Sequence, residues 1–381
     1  MDEEFMWQRT GAQRGVAPAP HPVVAALLER VATGSTPSNR TDPHRIALVV
    51  EGGAMRGVIS GGMVAGLEAL GLRDAFDVVY GSSAGACAGA YFLAGQARVG
   101  ARLYYEVVNN RRFINLLHPL RRRAIVDLDR LFDQVLGRQL PLDFETFQTS
   151  GVQMVVLASH VDAMAATGTE AGGRQCVAEA VRFTDFEDVN DLLGALHASS
   201  RMPIVGGAPF AYRGMRFWDA AITQPVPIHA ALEDGCTHVL VLLTLPRDVR
   251  PGGFGLLDRL LVAPRVGKVS PGLAATYRTR SARYRDTCEL ILARSLERAG
   301  PPFVEGIAAE ASTPVIGRTE IRTERLIRAA RAGGDAVLAA FGRGDARMST
   351  QLLPVDERGH PMQVRLPVAP DAPSPGAATG A

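Results

Sequence analysis

Cysteine is scarce in this 381-residue chain and falls without pattern. Cys87, Cys176, Cys236 and Cys288 form no CxxC pair and have no histidine at ligand spacing, which argues against a disulfide framework and a zinc site and fits a reducing compartment. Neither sign of charge dominates: 41 basic and 39 acidic residues leave a formal net charge of +2, so nucleic acid is not the expected ligand. No apolar run approaches the roughly 18 residues of a spanning helix. The opening MDEEFMWQRT is acidic, where a secretory leader would be basic and then apolar. A cytoplasmic protein is expected, with any membrane contact peripheral at the inner face. There is no internal repeat, and no cofactor or metal is expected.

Apolar residues make up 47% of the chain, enough for a sizeable core. They gather in short continuous runs: RIALVV (45–50), FDVVY (76–80), VQMVVLAS (152–159) and HVLVLLTL (238–245). Continuous rather than alternating runs imply strands buried on both faces, hence a mainly parallel central sheet with helices on both faces. Residues 1–44 read as an extension with one amphipathic stretch, VVAALLERV (23–31), suited to a short docking helix. Residues 45–245 read as the α/β domain and 246–345 as a helical region packed on it. Residues 346–381 read as a poorly ordered, Pro/Ala/Gly-rich tail.

Three stretches carry chemistry. EGGAMRGVISGG (51–62) follows a strand and opens a helix, where bare N–H groups and the helix dipole favour an anion. A dinucleotide fingerprint would need glycine at position 54, which is Ala54. A plain glycine-rich turn is the bland alternative. Gly81-Ser82-Ser83-Ala84-Gly85 fits GxSxG between a strand and a helix of small residues, a turn that exposes the Ser83 oxygen. Ser83 is equally suited to capping that helix. In the third stretch, Pro209 to Phe217 alternates around Arg213-Gly214 like a hairpin and delivers Asp219 at a strand end beside Trp218. Partial desolvation there would raise its pKa into a general-base range, whereas a simple turn cap would not need it.

Together these stretches resemble the patatin-like phospholipase family over roughly residues 45–245, and ASSRMP (198–203) adds to the likeness. The resemblance implies a three-layer α/β/α fold with a helical C-terminal extension. It makes Ser83 the nucleophile, Asp219 the proton acceptor, and the loop of Gly52, Gly53, Ala54, Met55, Arg56 and Gly57 the oxyanion hole. The implied activity is hydrolysis of a lipid or other acyl ester. Two positions depart from the family pattern: Ala54 replaces a glycine, and Asp219-Ala220-Ala221 replaces Asp-Gly-Gly or Asp-Gly-Ala. A methyl there is harmless at negative φ and costly at positive φ.

Two rivals remain. One is a Ser/His/Asp esterase using a late histidine, His238 or His360; the other is a non-catalytic lipid-binding or regulatory protein on the same fold. RRFINLLHPLRRR (111–123) and FGLLDRLLVAPRVGK (254–268) mix basic and apolar residues, a pattern that suits either an anionic lipid surface or a solvated helix face. Cys87, one helical turn past Ser83, reads as packing, with a thiol open to reactive probes.

Overall fold

The computed structural model describes residues 19–118, 123–162, 180–249, 255 and 258–364. Its centre is a sheet of eight strands: β1 (Ile46–Val50), β2 (Val78–Ser82), β3 (Gln153–His160), β4 (Ala180–Phe183), β5 (Phe210–Tyr212), β6 (Met215–Trp218), β7 (His238–Leu243) and β8 (Phe303–Ala308). The spatial order is β5-β6-β3-β2-β1-β7-β8, with β4 also paired to β3. Neighbours from β3 through β8 run parallel, whereas β4 and β6 meet β3 antiparallel. The four strands read from the continuous apolar runs are β1, β2, β3 and β7, and every residue of β1, β2 and β7 is buried.

That continuity has a direct cause, since both faces of the sheet are covered. Ile46, Leu48 and Val50 point into one core, shared with the helices Val58–Ala69, Ala84–Leu93, Val189–Ser200 and Thr323–Ala340. Ala47 and Val49 point into a second, against Ile228–Glu233 and the long helix Pro271–Leu296. The architecture is therefore three-layered α/β/α. Alternation along β1 assigns each side chain to one core or the other.

The expected hairpin is present as β5 and β6, with Tyr212 opposite Met215. Arg213 and Gly214 both have positive φ, 45° and 76°, the two-residue turn whose twist matches the strands.

The regions outside the central domain are more structured than their composition implies. In the range 1–44, the helix Pro22–Ala32 buries Val23, Val24 and Leu27, and its Arg30 binds Asp42 and Asp77. The range 246–345 supplies β8 as well as helices, because FVEGIA pairs in register with β7. In the range 346–381, Arg347–Met348 and Pro354–Val355 form a small ribbon, with Met348 and Leu352 buried. Residues 365–381 lie outside the described residues, as do 119–122 and 254, 256 and 257, which belong to the two basic and apolar segments.

Candidate active site

Strand register alone brings Ser83 and Asp219 together. Ser82 lies opposite Leu157 of β3, so Ser83 continues level with Ala158. Trp218 of β6 lies opposite Ser159 and runs the other way, so Asp219 also comes level with Ala158. β6 takes up beside β3 where β2 leaves it, on the same side of that strand, with β4 on the other. The side chains of Ser83 and Asp219 meet there: Ser83 Oγ donates to Asp219 Oδ2 at 2.8 Å. Ser83 is 5% exposed and Asp219 3%.

Ser83 sits on a strained turn, with φ 55° and ψ −128°. It occupies the N-cap position of Ala84–Leu93 but makes no side-chain cap, so the capping alternative does not describe its oxygen. The glycines of the pentapeptide let the turn pack tightly. A Cβ on Gly85 would lie 2.2 Å from the Val50 carbonyl, and one on Gly81 would lie 2.3 Å from Ala86 Cα. Ser82 points away, with its hydroxyl buried and no hydrogen-bond partner among the described residues.

Asp219 both caps a turn and faces the serine. Oδ1 accepts from the Ala221 N–H at 2.8 Å and caps the short turn Ala220–Ile222, while Oδ2 faces Ser83. Burial pushes its carboxyl up to about 6, against the opposing pull of the Ala221 N–H, the Ser83 hydroxyl and Arg318. A carboxylate poised there can accept a proton near neutral pH.

The glycine-rich loop lies directly against the serine. A Cβ on Gly52 would come 2.9 Å from Ser83 Cβ and 2.3 Å from the Ser82 carbonyl oxygen. Gly53 has φ 155° and Ala54 φ 52°, so Ala54 holds a left-handed conformation that its methyl makes costly, by roughly 1–2 kcal/mol. Ala220 is not among the positive-φ residues, so its methyl carries no such cost. Arg56 braces the loop: its Nη2 donates to Glu51 Oε1 at 3.1 Å and its Nε to Thr244 Oγ1 at 2.9 Å. Gly57 begins the helical segment, with room for no side chain against Ala84.

Further residues complete the site, and of these only the ASSRMP stretch stands out in the sequence. Ser199 Oγ accepts from the Ser83 N–H at 2.8 Å, and the Arg201 carbonyl accepts from the Asp219 N–H at 3.0 Å. The ASSRMP stretch therefore holds both members of the pair. Tyr284, on the helix Pro271–Leu296, donates to Glu51 Oε1 at 2.7 Å. Arg283, beside it, donates to the Ile222 carbonyl at 2.6 Å and also to that of Thr223, clamping the turn that follows Asp219. Their signal is only their place on a helical face in an Arg-rich segment.

Neither candidate histidine is near. His238 pairs with Ile46 at the start of β1, the end of the strands opposite Ser83, and its ring lies tilted 4.3 Å from that of His44. His360 is exposed beside Asp356. Cys87 is half-buried against the core, and burial pushes its thiol up to about 12, which disfavours the thiolate.

Ser83 and Asp219 open into a cavity of about 220 Å³. Much of its lining is apolar, including Leu103, Phe113, Ile114, Leu128, Phe132 and Leu136. Nearby in sequence, Leu116 and Leu117 are 67% and 68% exposed. No helix among the described residues is long and apolar enough to cross a membrane.

Comparison with known proteins adds three findings. A family model described as "Patatin-like phospholipase" matches residues 48–232. The "Uncharacterized protein YjjU" of Escherichia coli (strain K12) is 25% identical over 224 residues, which is 58% of this chain; the chain spans only 58% of that relative's length. The crystal structure of VipD from Legionella pneumophila aligns over 78% of this chain and 67% of that one, at 12% identity and a TM-score of 0.31, and no conclusion rests on that likeness.

Proposed function

Because residues 48–232 belong to the patatin-like phospholipase family, we propose that this protein is a serine acyl hydrolase that cleaves carboxylic esters of lipids with Ser83 and Asp219. The observation that carries the reading is the 2.8 Å hydrogen bond between Ser83 Oγ and Asp219 Oδ2 beside an apolar cavity.

In this reading Ser83 Oγ attacks the acyl carbonyl carbon while its proton passes to Asp219 Oδ2. The backbone N–H groups around Gly53 and Ala54 stabilise the oxyanion, aided by the uncapped start of Ala84–Leu93. Collapse breaks the bond to the leaving alcohol, which takes the proton back from Asp219. Water then attacks the acyl-serine, losing its proton to the same carboxylate, and the acid leaves. The apolar wall holds the acyl chain, and the helices after residue 245 complete the site from outside the family segment.

Turnover of short p-nitrophenyl esters tests the proposal. Ser83→Ala and Asp219→Asn should each lower kcat by about 10²–10⁴-fold, the usual contribution of a nucleophile or positioned base. His238→Ala should retain turnover. Persistent activity in Ser83→Ala, or loss confined to the histidine variant, would overturn the pairing; inactivity of the wild type would favour a lipid-binding role.

A further inference from the structure

The glycine-rich loop holds a conformation that its own residues do not favour. Gly53 has φ 155° and Ala54 φ 52°, and strained backbone of this kind persists only where surrounding groups over-determine it. Glu51 is the hub of those groups. It follows β1 directly, precedes Gly52 and is fully buried. Its carboxyl accepts three hydrogen bonds: Oε1 from Arg56 Nη2 at 3.1 Å and Tyr284 Oη at 2.7 Å, and Oε2 from the Thr244 N–H at 2.5 Å.

The contacts close on the loop itself. Arg56 Nε donates to Thr244 Oγ1 at 2.9 Å, and Thr244 Oγ1 donates to the Gly52 carbonyl at 3.3 Å. The Glu51 backbone also abuts the serine elbow, because a Cβ on Gly85 would lie 2.8 Å from the Glu51 carbonyl oxygen. Of the three donors to Glu51, Arg56 belongs to the loop and Thr244 follows β7, the neighbour of β1. Tyr284 comes from a different layer, the helix Pro271–Leu296, which lies outside the segment matched to the family. Burial, then the Glu51 carboxyl, pushes its hydroxyl well above the usual range, so it remains a donor. Its ring belongs to the core that also contains Ala220, Cys288 and Ile291.

We propose that Tyr284 is a positioning residue for acyl transfer: by fixing Glu51 it holds Gly52, Gly53 and Ala54 against Ser83, so a helix outside the family segment sets the oxyanion donors. Donors of this kind act on charge that develops only in the transition state, so misplacing them costs turnover rather than substrate binding. The proposal rests on the hydrolase reading for its kinetic effect, while the conformation of the loop has a readout of its own.

The test measures p-nitrophenyl butyrate turnover and amide hydrogen exchange of the loop in wild type, Tyr284→Phe, Glu51→Gln and the double variant. Tyr284→Phe removes only the hydroxyl and keeps the ring in its core, so it carries the test even if Glu51→Gln fails to fold. It should lower kcat about tenfold or more with KM within about twofold of wild type. The pH midpoint near 6 should stay in place, because Asp219 is untouched. Glu51→Gln should lower kcat further, and the double variant should be no slower than Glu51→Gln alone, since Tyr284 acts through Glu51. Full kcat in Tyr284→Phe, a loss carried by KM, or additive losses in the double variant overturns the proposal. Should the wild type neither turn over the ester nor label at Ser83 with a fluorophosphonate, the hydrolase reading fails. Hydrogen exchange then decides the positioning: faster exchange over residues 52–57 in Tyr284→Phe supports it, and equal exchange overturns it.

Discussion

Replacing Asp219 with Asn should make the protein more stable while removing its activity, and the size of the gain can be worked from the site. The buried carboxyl is pushed up to about 6, against an ordinary value of 3.8. A rise of about two pKa units corresponds to roughly 3 kcal/mol of cost in holding the carboxylate buried. The sign follows from proton binding. Between pH 4 and 6 the native state holds this proton more tightly than the unfolded chain, so the contribution of Asp219 to stability falls as pH rises through that window and is level above it. Asn keeps the shape and can still accept from the Ala221 N–H, but it carries no charge. At pH 8 the variant should therefore gain up to about 3 kcal/mol, and by pH 4, where wild-type Asp219 is protonated, the difference should vanish. Urea unfolding of both proteins at pH 8, 6 and 4 reads this directly. A variant less stable at pH 8, or an advantage independent of pH, would refute the reasoning.

Further outcomes follow from the same geometry. Ala54→Gly relieves the left-handed strain at φ 52° and, after the entropy that glycine adds to the unfolded chain, should stabilise by about 0.5–1 kcal/mol in thermal unfolding. Arg283→Met frees the Ile222 and Thr223 carbonyls and loosens the turn that positions Asp219. It should lower kcat roughly ten- to hundredfold with little change in KM, and Arg283→Lys should recover part of the loss. Burial pushes His21, His197 and His238 down to about 4, so each resists protonation in the native state. Stability should accordingly fall as pH drops from about 6.5 towards 4, measurable as a declining melting temperature in both wild type and Asp219→Asn.

The sequence made the sheet legible because its parallel strands are buried on both faces, and such strands must read as unbroken apolar runs. Ser83 and Asp219 were legible because each sits in a local pattern that the backbone requires: glycines around a strained elbow, and a hairpin ending in a carboxylate. Their distance was not legible, since it depends on two registers against β3 that no local pattern encodes. The same limit applies to Arg283 and Tyr284, which reach the site across long stretches of chain and lie in ordinary helix composition. β8 was hidden for a different reason. FVEGIA is short, carries Glu305 and Gly306 at half-buried positions and sits at the sheet edge, so it lacks the apolar run of the central strands.

The central claim is that Ser83 is a nucleophile whose proton goes to Asp219. Fluorophosphonate labelling with peptide mapping, followed as a function of pH, tests it most directly. The label should map to Ser83, its rate should rise with pH to a plateau with a midpoint near 6, and Asp219→Asn should slow it at every pH above that point. Labelling at another residue, or labelling of Ser83 at an equal rate in the Asp219→Asn variant, would contradict it.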